Sequence, residues 1–166
     1  MAKLDWFLAL GSAAVATAAF EGGRLLALAL PHASGFEGAL WAGVSAVVVL
    51  QATRDKTNAA AKLRVIGTAV GAVLSWLTLQ IAPYSLLGLA ACIFATALVC
   101  ERIGVPDDAR LASATVIVIM ALSVLHPEMP PWLNAGLRFA ESVIGAVCAL
   151  AWAWLARQLG RESPPH

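Results

Sequence analysis

The stretch Arg64-Val65-Ile66-Gly67-Thr68-Ala69-Val70-Gly71-Ala72-Val73 decides how this chain is read, because it returns seventy-four positions later. The second copy is Arg138-Phe139-Ala140-Glu141-Ser142-Val143-Ile144-Gly145-Ala146-Val147. Arg, Gly, Ala and Val recur at matching offsets, and Thr68 answers to Ser142. Each copy opens a long apolar stretch with an arginine. A hydroxyl then stands one helical turn along and a glycine two turns along, all on one face.

Working outward, the medium in which those helices sit follows from composition. The chain has 166 residues, is 60% hydrophobic and has a mean hydropathy of +0.80. A soluble domain of this size needs more charge to cover its surface. Six apolar stretches, at 6–30, 36–53, 63–82, 84–100, 111–126 and 132–156, are separated by short polar breaks. A bilayer core takes about 20 helical residues, with about 17 as a lower limit, and most of the six meet it. The third and fourth are nearly continuous, so the chain must fold back at Ala82-Pro83-Tyr84-Ser85, where Pro83 cannot continue a helix. A soluble helical bundle would need charged outer faces, and the stretches 39–50 and 111–125 carry no charge at all. The apolar N-terminal segment is read as a retained membrane helix, because Asp5 weakens the basic region that a secretory signal would need.

Lysines and arginines set the orientation. With the N-terminus inside, Lys3, then Arg54, Lys56, Lys62 and Arg64, then Arg102 and Arg110, then Arg157 and Arg161 all fall on the cytoplasmic side. The three outer connections, around His32-Ala33-Ser34, Pro83 and 127–131, have none. The positive-inside rule therefore puts both termini in the cytoplasm. Helix three then starts inside and helix six outside, so the two motif copies run in opposite directions. The expected fold is an all-α integral membrane protein. Its six transmembrane helices over 1–158 form two inverted three-helix repeats, followed by a short cytoplasmic tail at 159–166. Ser45-Ala46-Val47-Val48-Val49-Leu50 and Ser113-Ala114-Thr115-Val116-Ile117-Val118 give a weaker second echo. Inverted repeats are a common architecture of secondary transporters, with the ligand near the repeat interface.

Charged residues inside spans are costly, about 2.5–3.5 kcal/mol each on insertion scales, and need partners or water. Arg138 with Glu141 at i+3 is the first such pair. It reads either as an anion-binding arginine beside a proton-exchanging carboxylate, or as an intrahelical pair with the arginine reaching the outer interface. Thr17, Glu21 and Arg24 form a similar stripe around Gly22-Gly23, where glycines could open the helix toward an anion. The plainer reading there is a paired charge near the interface. Arg64 is an anchor of the positive-inside pattern or a cytoplasmic collector of anions. Its stripe-mates Thr68, Gly71 and Ser75 suit close packing or a wet path. Trp41, Trp132, Trp152 and Trp154 read as an interfacial belt, and His32 and His126 as loop residues. Cys92, Cys100 and Cys148 read as small packing residues. The sequence offers no paired metal ligands, no nucleophile with a neighbouring base, no phosphate loop and no basic nucleic-acid patch. No enzyme activity, cofactor, metal or nucleic-acid partner is expected.

Leu40-Trp41-Ala42 leading into Ser45-Ala46-Val47-Val48-Val49-Leu50-Gln51, then Arg64-x-x-Gly67-Thr68-x-x-Gly71, resembles the fusaric acid resistance (FUSC-like), or aromatic acid exporter, superfamily. Arg138-x-x-Glu141-Ser142-x-x-Gly145 is similar to that family's second arginine-glycine segment, and Glu101-Arg102-Ile103-Gly104 also fits. The resemblance covers about residues 14 to 156. It implies a membrane domain that moves organic anions, aromatic carboxylates above all, out across a bacterial inner membrane. Distant plant relatives act as dimeric anion channels. Family members commonly carry a large cytoplasmic domain and often a second membrane half, so six short helices are expected to form homo-oligomers, a dimer first. The expected function is an inner-membrane exporter of organic anions, with Arg138, Glu141, Arg24, Glu21, Arg64, Thr68 and Ser142 at the substrate. The alternatives are a passive anion channel of the same fold or a non-transporting membrane assembly subunit.

Overall fold

A computed structural model of the chain describes residues 6–30, 33–106 and 109–160. Lys3, Asp5, His32 and Arg161, which entered the topology argument, lie outside the described residues. Among the described residues six helices follow one another: α1 Trp6–Leu28, α2 Gly35–Val49, α3 Arg54–Ile81, α4 Leu86–Arg102, α5 Ala109–Leu125 and α6 Pro131–Gln158. There is no strand among the described residues.

Local chemistry sets the helix ends. Ser34 caps α2 by accepting from the Glu37 backbone N–H, and Ser85 caps α4 by accepting from Gly88 at 3.0 Å. Pro131 opens α6 at the first helical position, where its missing N–H costs nothing. At the end of α4, Gly104 takes a positive φ of 79° and lets the Val105 N–H close on the Cys100 carbonyl at 2.9 Å, which stops the helix.

Two boundaries differ from the sequence expectation by more than two residues. The second helix ends at Val49 rather than 53, and the third begins at Arg54 rather than 63. Hydropathy cannot see the first turns of α3, because Asp55-Lys56-Thr57-Asn58 is polar. Ala59-Ala60-Ala61 supplies strong helix formers, and Asp55 lies in the first turn, where the helix dipole favours an acid. Thr57 fastens the break that precedes it. Its Oγ1 accepts from Gln51 N–H at 3.0 Å and donates to the Thr53 and Gln51 carbonyls at 2.9 and 3.3 Å.

The chain divides into two compact units. Of the described residues, one takes 6–30, 34–62 and 141–160; the other takes 33, 63–106 and 109–140. Thus α3 begins in the first unit and ends in the second, and α6 does the reverse. In the first unit α1 packs along α2. In the second, α4 packs on α5, and two small clusters hold it together. One joins Ala72, Ile119 and Ala135 with Leu79, and the other joins Cys92, Val116 and Met120 with Leu74, Leu89 and Ile93.

Many of the buried side chains are small or polar, and many of the exposed ones are large and apolar. Ser45, Thr57, Arg64, Thr68, Ser75, Thr96, Thr115, Asn134, Arg138, Glu141 and Ser142 are buried, whereas Leu25, Phe36, Ile81, Leu86, Leu87 and Phe94 are exposed. Water would select the opposite arrangement, and a lipid exterior selects this one. By length and composition α3 and α6 are apolar enough to cross a membrane, while α2 and α5 are shorter apolar helices.

Candidate functional site

The polar residues gather on one face of α6 and one face of α3. On α6, Asn134, Arg138, Glu141, Ser142 and Gly145 fall at i, i+4, i+7, i+8 and i+11, and all are buried. On α3, Thr57, Arg64, Thr68, Gly71 and Ser75 share a face and are likewise buried. Arg64 and Arg138 are each only 2% exposed. An arginine stays ionised at any physiological pH, so each motif places a full positive charge inside protein.

Within the second unit, α3, α5 and α6 converge. A Cβ on Gly71 would stand 2.5 Å from the Ala112 carbonyl and 3.1 Å from the Thr115 Cβ, so α3 and α5 touch backbone to backbone. Asn134 Nδ2 donates to the Ile119 carbonyl of α5 at 2.9 Å, which ties the first turns of α6 to the same helix. Thr115 returns its hydroxyl to Leu111 at 3.1 Å.

The first unit holds the corresponding arrangement on the other motif copy. A Cβ on Gly145 would stand 2.5 Å from the Ala42 carbonyl and 2.7 Å from the Ser45 Cβ. Ser45 Oγ donates to Ser142 Oγ at 3.3 Å, with both residues fully buried. The Glu141 carboxylate rests against α2: a Cβ on Gly38 would stand 2.9 Å from Glu141 Oε1 and 2.8 Å from the Gly23 carbonyl. Only a residue without a side chain fits between α1 and that carboxylate.

The sequence candidates therefore separate. Arg64, Thr68, Arg138, Glu141 and Ser142 are all buried on the two stripes. Glu21 and Arg24 are not: they form an ion pair of 2.8 Å on the outside of α1, with side chains 52% and 44% exposed. Helix α1 runs unbroken through Gly22-Gly23, so the glycines do not open it. Gly23 instead allows close packing, since a Cβ there would stand 2.3 Å from the Gly38 carbonyl. Of the four belt candidates, Trp132 and Trp154 are exposed, as a belt requires, whereas Trp41 and Trp152 are half-buried. His126 faces Glu128 at 3.2 Å.

Sequence reasoning missed Asn134 and Gly38. Asn134 follows a Pro-Pro pair and passes for a capping residue, yet it lies four positions before Arg138 and extends the same stripe. The second echo also needs a shift. Residue identity pairs Ser45 with Ser113, but the contacts of Gly145 and Gly71 match Ala42 to Ala112 and Ser45 to Thr115. Identity of Ser and Ala misleads where every face is small and apolar, and the tight glycine contact sets the register.

Comparison with known proteins agrees with this picture. A family model described as fusaric acid resistance protein-like matches residues 26–152. No curated protein and no solved structure matches the chain. The matched stretch includes both arginine motifs, Asn134 and Gly38, and leaves out Glu21 and Arg24. Members of that family are membrane transporters. With most of its length and both motif copies inside the match, the chain belongs to the fusaric acid resistance protein-like family.

Proposed function

We propose that the protein is an exporter of organic anions, aromatic carboxylates first among them, in a bacterial inner membrane. Its buried arginines bind the carboxylate. The observation that carries this reading is Arg138, 2% exposed on a long apolar helix, with a hydroxyl and an amide on the same face. The guanidinium fork matches a carboxylate in shape and charge, and a buried site makes that match stronger than it is in water. Arg64 and Thr68 repeat the arrangement on α3 and would collect anions from the cytoplasmic side.

All six helices cross the membrane as two inverted three-helix repeats, with both termini in the cytoplasm. Two features support the repeat. Gly71 packs on Ala112 and Thr115 of α5, and Gly145 packs on Ala42 and Ser45 of α2, so each motif glycine meets the second helix of the other repeat. Both contacts join helices that run in the same direction: Gly71 lies level with Ala112 and Leu79 with Ile119, while Glu141 lies by Gly38 and Gly145 by Ala42. Helices α2 and α5, of 15 and 17 residues, are short for a bilayer, a mismatch that local thinning and oligomerisation accommodate. The working form is a homodimer. Proton coupling falls to Glu141 rather than Glu21, because Glu141 is buried beside the motif arginine.

The experiment is anion flux into proteoliposomes of the purified protein, with an imposed pH gradient and a panel of aromatic and aliphatic carboxylates. Flux that rises with the gradient supports a coupled exporter. Gradient-independent flux makes the protein a passive channel. No flux for any anion from correctly oligomeric protein makes it a non-transporting subunit.

A further inference from the structure

Thr17, Glu21 and Arg24 fall at i, i+4 and i+7 on one face of α1, and all three are exposed. Ala13 continues the stripe one turn back and is exposed as well. Beside the stripe, within the first unit, runs an open groove of about 510 Å³ between α1 and α2. Ala16, Thr17 and Phe20 line it from α1, and Leu40, Val44 and Val47 line it from α2. Gly43 lies between the two walls, where a Cβ would stand 3.6 Å from the Ala16 carbonyl. The α2 wall is exposed along its length.

Lipid tolerates the apolar part of this face but not the charged part. Arg24 stands four residues before the end of α1 at Leu28, and Glu21 stands seven before it, about 6 and 10 Å along the axis at 1.5 Å per residue. In the topology proposed above, these are depths below the outer end of the helix. The long arginine reaches water from there, while the carboxylate that it holds at 2.8 Å lies at the edge of the hydrocarbon.

We propose that this face of α1 and α2 is where a second copy of the chain docks, and that Glu21 and Arg24 set its register. The inference rests on the homodimer reading above and names the surface that makes the dimer. The face is self-complementary in charge, with one acid and one base three residues apart. A two-fold axis along the membrane normal brings each acid beside the partner's base and closes a ring of four alternating charges. The small side chains of Ala13 and Thr17 let two α1 helices approach closely on the cytoplasmic side of that ring. An anionic lipid on the same face would meet Glu21, and a basic segment of another protein would meet Arg24, whereas a copy of the face satisfies both. The ring stands at the outer rim of the contact. Charges there fix register and exclude wrong partners more than they add affinity, so neutralising Arg24 alone leaves the dimer in place.

The test exchanges the charges. Arg24→Glu gives each copy two acids, and Glu21→Arg gives each copy two bases. Self-association of the full chain is followed in detergent and in proteoliposomes by energy transfer between copies labelled at the C-terminus. Each variant alone is expected to dimerise about tenfold or more weakly than wild type, and their equimolar mixture to recover to within about threefold. Recovery on mixing also reports that both variants fold. A second readout needs no charge change. In a background of Cys92→Ala, Cys100→Ala and Cys148→Ala, Thr17→Cys should join two copies through a short bismaleimide, and Val147→Cys, on an exposed position of α6, should not. If the mixture recovers nothing, this crosslink decides alone. Charge variants that each dimerise as wild type does overturn the proposal and give the groove to lipid. A crosslink at Val147→Cys with none at Thr17→Cys overturns it too, and leaves a homodimer built on another face. A monomeric wild type removes the homodimer reading and the inference together, while anion flux judges transport separately.

Discussion

Glu21 with Arg24 on α1 and Arg138 with Glu141 on α6 are pairs of opposite charge at the same spacing, each set in a long helix of small and apolar residues. In the first, the two side chains close on each other at 2.8 Å and remain about half exposed. In the second, both are buried, and the carboxylate is seated against a glycine of α2. The i,i+3 spacing is shared, so it does not decide the outcome. The surrounding helices do. Arg138 and Glu141 belong to a stripe that continues through Asn134, Ser142 and Gly145 and meets α2 and α5. Glu21 and Arg24 lie on an exposed face of α1, where the Arg24 side chain passes Gly35 at the start of α2. A charge kept inside protein is expensive unless it is paired and hydrogen-bonded there, whereas a charge outside is also satisfied by water.

The contrast can be broken most sharply at the carboxylates. Glu141→Gln is expected to remove the acceleration of flux by a pH gradient, while Glu21→Gln leaves it in place; the ratio of flux with and without the gradient reads both. The next effect is steric. Gly38→Ala forces a methyl against the Gly23 carbonyl and Glu141, and overpacking of this kind costs about 1–3 kcal/mol. Gly136 on α6 has nothing within 4 Å of a built Cβ, so Gly136→Ala should stabilise by about 0.5–1 kcal/mol. Thermal melts of the two variants in one detergent should move in opposite directions. A smaller local loss is expected from Thr57→Ala, which removes the hydroxyl that fastens Gln51 and Thr53 and should cost about 0.5–1.5 kcal/mol for a typical bond lost. Faster amide exchange confined to the α2–α3 connection would mark it.

The six helices could be read from hydropathy and proline positions because each apolar run is bounded by a cap, a proline or a charge. The start of α3 could not, since helix propensity in Asp55–Lys62 is invisible to hydropathy. That Arg64 with Thr68 and Arg138 with Ser142 share a face followed from their common spacing in two copies; the burial of the two arginines did not, since the sequence left each of them between the interior and an interface. The exposure of Glu21 and Arg24 did not follow, because nothing in the order of residues on α1 tells which of its faces meets α2. Asn134 and Gly38 escaped for a related reason: their meaning lies in a contact with another helix, to the Ile119 carbonyl in one case and to the Glu141 carboxylate in the other.

A side-by-side flux measurement of Arg138→Gln and Arg24→Gln in proteoliposomes, each shown to have the wild-type oligomeric state, tests the role of the buried motif arginine most directly. A lost charge-assisted hydrogen bond of about 1.5–3 kcal/mol corresponds to a fall of about 10- to 100-fold. Arg138→Gln should fall by that much, and Arg24→Gln should stay within about threefold of wild type, as an exposed pair implies. Equal losses in the two variants, or an unchanged Arg138→Gln, would contradict the assignment of the buried motif arginine to the anion.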